Sequence, residues 1–112
     1  MNTTTEMVEL CGVDDVAEGE ILRGALPSGH ALAIYRVNGE FYVTDDICSH
    51  GEASLSEDGS LDGYEVECNW HFGRFDVRSG APCAMPCEHA IRSWPVKIDG
   101  GRVFVDAGAH AL

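Results

Sequence analysis

Asp46-Ile47-Cys48-Ser49-His50-Gly51 and Glu67-Cys68-Asn69-Trp70-His71-Phe72-Gly73 decide how this chain is read. Each stretch brings a cysteine and a histidine close together along the chain, and seventeen residues separate His50 from Cys68. Each pair also follows a run with strand character, Phe41–Asp46 in the first case and Tyr64–Glu67 in the second. Gly51 and Gly73 lie just past the histidines and permit the sharp bends that loops around a metal need. Two such loops facing each other offer two thiolates and two imidazoles. A lone Cys or His is usually a packed or surface residue, but two short-spaced mixed pairs at strand ends are hard to obtain that way.

Outward from these pairs the chain reads as all-β. His30–Val37 and Glu40–Thr44 flank Asn38-Gly39, the dipeptide that a type I′ turn favours because both central residues need φ > 0. Leu32 and Ile34 fall on one face of the first strand, Ala33, Tyr35 and Val37 on the other, which predicts a central strand buried on both sides. Val96 and Ile98 alternate with Lys97 and Asp99, and Asp99-Gly100-Gly101 turns the chain into Arg102–Asp106, a second hairpin. Tyr64–Glu67, Arg74–Val77 and Glu20–Leu26 complete the strands, and one helical turn is expected around Asp14–Ala17 with Asp14 as its cap. The pattern alone predicts a sandwich or a partly open barrel.

The bulk properties narrow the function. A length of 112 residues fits a single domain over residues 1–112. No apolar run approaches the ~20 residues that a bilayer span needs, and Met1–Leu10 has no leader character, so a soluble cytoplasmic protein is expected. Five cysteines are an odd number for a disulfide framework, which leaves thiols as metal ligands or packed residues. Nineteen acids against seven bases give −12, which argues against nucleic acid or an anionic membrane as partner. Between Arg36 and Arg74 there are nine acids and no base; these form either an ordinary solvated surface or a face that steers basic partners.

Two metal centres suit the donors. Tetrahedral zinc takes two Cys and two His, but its sites usually pair like with like along the chain, whereas each arm here is mixed. In a dinuclear iron–sulfur cluster the ligands sort by iron. Cys48 and Cys68 on one iron, with His50 and His71 on the other, would make each mixed arm bridge both metals.

The C-x-H…C-x-x-H arrangement resembles the Rieske family. Its surroundings are similar to the soluble ferredoxins of bacterial aromatic-ring-hydroxylating dioxygenase systems, through Asp46–Gly51, Ala53-Ser54-Leu55-Ser56, Leu61-Asp62-Gly63, Glu67-Cys68, Gly73-Arg74-Phe75-Asp76 and Trp94-Pro95-Val96. The resemblance runs from about Glu18 to Asp106. It implies a Rieske fold, stacked antiparallel sheets with cluster-binding loops (about 46–82) at one tip, and one [2Fe–2S] cluster held by Cys48, His50, Cys68 and His71. It implies an electron carrier rather than an enzyme, working between a flavin-dependent NAD(P)H reductase and a terminal oxygenase; such a shuttle is expected to be monomeric. The alternatives are an accessory Rieske subunit of a nitrite reductase or monooxygenase, and a zinc-stapled interaction module.

Other residues carry weaker expectations. High-potential members of the family have an extra cysteine in each loop and Ser and Tyr hydroxyls near the cluster. The corresponding positions here are Ala53, Trp70, Gly73 and Phe75, which predicts a low potential. Gly80–Cys87 matches the family's proline-containing loop over the cluster, with Cys83 and Cys87 expected as small packing residues and a redox-sensitive pair as the alternative. Cys11 is expected in the core, Trp70 as packing, a cluster shield or a partner contact, and His30, His89 and His110 as ordinary side chains.

Overall fold

A hairpin with two left-handed residues at its tip organises the molecule. In the computed structural model, which describes residues 6–47, 53–68, 73–84 and 90–110, Asn38 and Gly39 have φ of 53° and 76°. They join Ala31–Val37 to Glu40–Asp45, and the register runs from Val37 opposite Glu40 to Leu32 opposite Asp45. This is the turn geometry that Asn-Gly favours.

In chain order the strands are β1 (Met7–Gly12), β2 (Ile21–Ala25), β3 (Ala31–Val37), β4 (Glu40–Asp45), β5 (Gly59–Asp62), β6 (Glu65–Cys68), β7 (Arg74–Asp76), β8 (Pro82–Ala84), β9 (Ser93–Trp94), β10 (Val96–Asp99) and β11 (Arg102–Asp106). One short helix, α1 (Leu55–Asp58), precedes β5. Three antiparallel sheets result, ordered β1-β11-β10, β2-β3-β4-β9 and β5-β6-β7-β8.

The alternation along β3 decides how the sheets stack. Ala33, Tyr35 and Val37 enter one core with Val66, Cys68 and Phe75 of the β5–β8 sheet. Leu32 and Ile34 enter the other with Cys11, Val103 and Val105 of the β1-β11-β10 sheet. The β2-β3-β4-β9 sheet is therefore the middle of three layers, buried on both faces. The architecture is thus the layered, three-sheet arrangement that the family resemblance implied, where pattern alone left a sandwich or a partly open barrel. Each fully buried aliphatic side chain in these cores contributes about 1.5–3 kcal/mol.

Several local expectations shift. The turn near the N-terminus is a 3-10 turn over Val13–Asp15 rather than a helix over 14–17. Asp15, not Asp14, reaches back, accepting from the Gly12 amide at 2.7 Å. Strand β1 was hidden because a bulge between Glu9 and Cys11 breaks its alternation, turning Cys11 inward where it is 7% exposed. Helix α1 has a signature that could have been read: Ser54 caps it, its Oγ accepting from the Glu57 amide at 3.3 Å.

Candidate metal centre

Both ligand arms grow out of the same packed layer. Ala53, Leu55, Cys68 and Phe75 belong to one buried cluster and are each 0–1% exposed. Cys68 ends β6, opposite Gly59 of β5, and its thiol-bearing side chain is fully buried. Cys48, His50 and His71 lie outside the described residues, as do Trp70, Cys87 and His89, so the structure places one of the four expected ligands.

The bases of the arms are latched by the backbone. Ile47 and Ser54 form an isolated antiparallel bridge, and the Leu55 amide donates to the Asp46 carbonyl at 2.7 Å. The Cys68 amide donates to the Gly73 carbonyl at 2.9 Å. The Ile47–Ser54 bridge and the Cys68–Gly73 hydrogen bond thus pin the described flanks of the two arms, a supporting frame of the kind a metal-binding loop needs.

Asp46 is the side-chain counterpart of the first latch. It is fully buried, and its carboxylate accepts from Ser54 Oγ at 2.6 Å and from the Ser56 amide at 2.8 Å. Its neighbour Asp45 points to the other side of the strand, as successive residues must. There it accepts from His30 Nε2 at 2.7 Å, Trp94 Nε1 at 3.1 Å, and the Arg92 amide and guanidinium at 3.2 and 3.3 Å. Burial by itself would raise the Asp45 pKa, but the hydrogen bonds from His30, Trp94 and the Arg92 amide outweigh it and the carboxyl titrates below its usual range. His30 is therefore not an ordinary side chain, and its partner stands fifteen residues away where no local spacing could show it. His110 also has a defined place, its Nε2 2.8 Å from the Ser93 carbonyl and its ring edge-on to Trp94 at 4.7 Å.

The loop after the second arm is tied to the far end of the chain. Gly80 has φ of 79°, its amide donates to Asp76, and its carbonyl accepts from the Ile91 amide at 3.0 Å. A Cβ at Gly80 would overlap the Ile91 carbonyl oxygen, so only glycine fits there. Cys83, expected to be packed, is exposed instead: β8 is an edge strand, and among the described residues its thiol meets the Ala81 carbonyl at 3.6 Å. Burial and the nearby Glu65 and Asp76 charges push its pKa up, which disfavours a reactive thiolate.

The acidic stretch is less uniform than its composition. Asp45 and Asp46 are inside the fold, and Arg74 sits among Asp62 at 3.0 Å, Glu65 at 3.3 Å and Glu67 at 3.7 Å. Glu40, Glu57 and Asp62 remain exposed.

Residues 6–95 match the Rieske [2Fe–2S] domain model. The chain belongs to that family. The centre is accordingly one Rieske-type [2Fe–2S] cluster, and a fully buried cysteine at a latched strand end, with a second Cys–His pair beyond the Asp46 latch, is a donor set that suits it. The chain is 78% identical over 108 residues to the ferredoxin component of the p-cumate 2,3-dioxygenase system of Pseudomonas putida, covering 96% of this chain and 92% of that one. Among solved structures it resembles the Sphingomonas yanoikuyae B1 ferredoxin, with a TM-score of 0.85, 42% identity, and 90% and 98% of the two chains covered. It also resembles a chain in a complex of reduced oxygenase and oxidized ferredoxin of carbazole 1,9a-dioxygenase, with a TM-score of 0.86, 38% identity, and 97% and 99% covered. This Rieske chain carries electrons and transforms no substrate itself. No helix among its described residues is long and apolar enough to cross a membrane.

Proposed function

We propose that the chain is the one-electron shuttle of a dioxygenase system acting on p-cumate, working in the cytoplasm between a flavin-dependent NAD(P)H reductase and the terminal oxygenase. The observation that carries this reading is the 78% identity, over nearly the whole of both chains, to a p-cumate 2,3-dioxygenase ferredoxin. The cluster, when bound, supplies a one-electron centre.

In this reading the chain is a single monomeric domain over residues 1–112. Cys48 and Cys68 would hold the cluster as thiolates, and His50 and His71 as neutral imidazoles. The protein's own work is then positional. Asp46 and the Ile47–Ser54 bridge fix the first arm, and the Cys68–Gly73 hydrogen bond fixes the second. The buried layer around Cys68 keeps water from that thiol. The exposed acids favour basic, short-lived docking partners, because a shuttle must leave each one.

The test is reconstitution with purified p-cumate dioxygenase oxygenase and its reductase. This ferredoxin should support NADH-dependent dihydroxylation of p-cumate at a rate comparable to the native ferredoxin of that system. Turnover absent with p-cumate oxygenase but present with a naphthalene oxygenase would contradict the substrate assignment. Failure with both would contradict the shuttle role.

A further inference from the structure

Asp45 is the most heavily engaged carboxylate among the described residues, and it stands at the last position of β4, three residues before Cys48. Its side chain is 12% exposed and receives four hydrogen bonds from three separate segments. His30 comes from the turn before β3, Arg92 from the stretch that follows residues 85–89, and Trp94 from β9. The backbone repeats the link, since the Asp45 amide donates to the Arg92 carbonyl at 3.0 Å. Both carboxylate oxygens are used: Oδ1 takes His30 and Trp94, and Oδ2 takes the two Arg92 donors. An amide in place of the carboxylate could satisfy one oxygen's partners, but its NH₂ would face donors on the other side.

We propose that Asp45 is a positioning residue for the cluster, fixing the base of the first ligand arm against the strand that receives the chain after residues 85–89. Groups outside the ligand set orient the ligands and tune a metal centre's electronics. Asp45 is well placed for this, because the arm's start and β9 share no other side-chain anchor of comparable density among the described residues. It also brings a buried negative charge, matched by Arg92, near the point where the arm leaves the sheet. The proposal rests on the Rieske reading, and loss of the Rieske signal in the wild-type protein would be a failure of that reading rather than of this one.

The experiment compares Asp45→Asn and Trp94→Phe with wild type in the cluster-loaded protein, by EPR of the reduced state, redox titration and thermal unfolding. Trp94→Phe removes one hydrogen bond to Oδ1 while keeping charge and most of the aromatic volume. The expected result is altered EPR g values in both variants. The midpoint potential should rise in Asp45→Asn, where one negative charge is lost, and stay closer to wild type in Trp94→Phe. Should Asp45→Asn fail to fold, the g values of Trp94→Phe decide alone. Wild-type g values in every folded variant would overturn the proposal, whether the potential moves or only the melting temperature falls.

Discussion

Ser54 Oγ donates to Asp46 Oδ2 at 2.6 Å, across the base of the segment that contains Cys48 and His50. The pair closes the arm on itself: Asp46 lies on the outgoing limb, Ser54 on the returning one, and Ser54 also caps α1. One short contact therefore sets both where the arm ends and where the chain re-enters the buried layer.

Replacing Asp46 with Ala should cost roughly 1–3 kcal/mol, the range for stranding buried polar partners, here Ser54 Oγ and the Ser56 amide. Denaturant unfolding measures it, and iron content per chain should fall alongside. Full iron content with unchanged stability would show that the backbone bridge alone holds the arm.

Gly80 and Gly63 both have positive φ, 79° and 61°, but only Gly80 meets backbone. Gly63→Ala should destabilise by about 1 kcal/mol for the left-handed conformation alone. Gly80→Ala should cost roughly 3 kcal/mol or more, because the Ile91 carbonyl must also move. Equal costs in urea unfolding would contradict the close approach.

Asp45 makes stability depend on acid. Its folded carboxyl titrates below its unfolded value of about 3.9. The stabilisation is complete above that value and is lost as pH falls through the folded one. Asp45→Asn lacks the contribution, so the stability gap between wild type and variant should narrow in the acid window below about pH 4. A gap that stays constant over that window would contradict the depressed pKa.

Charge should steer docking. With a net charge of −12, reductase-coupled reduction should slow steeply as salt rises from about 0.01 to about 0.5 M. Stopped-flow absorbance follows it. The charge count overstated the face, since two of the nine acids between Arg36 and Arg74 are interior and three surround Arg74. Rates independent of salt would assign the acids to solubility.

The sequence carried its strongest signals where a local rule applies. Asn38-Gly39 specified its turn because both positions need φ > 0, and the alternation along β3 foretold two cores because side chains in a strand alternate faces. The two-residue β9 and the bulged β1 were illegible, since neither has enough regular alternation to read. The site was legible as ligand types and spacing. Its support was not: His30, Asp45, Arg92 and Trp94 meet through the fold, up to 64 positions apart, with no pattern linking them. Cys83 misled because small apolar residues are usually packed, while its strand lies at a sheet edge.

The central claim, a Rieske cluster held by Cys48, His50, Cys68 and His71, is tested most directly by pulsed EPR of the dithionite-reduced protein. The expected result is an anisotropic mixed-valence signal with hyperfine coupling to nitrogen from two imidazoles. An EPR-silent, colourless protein, or a cluster signal without nitrogen coupling, would contradict it.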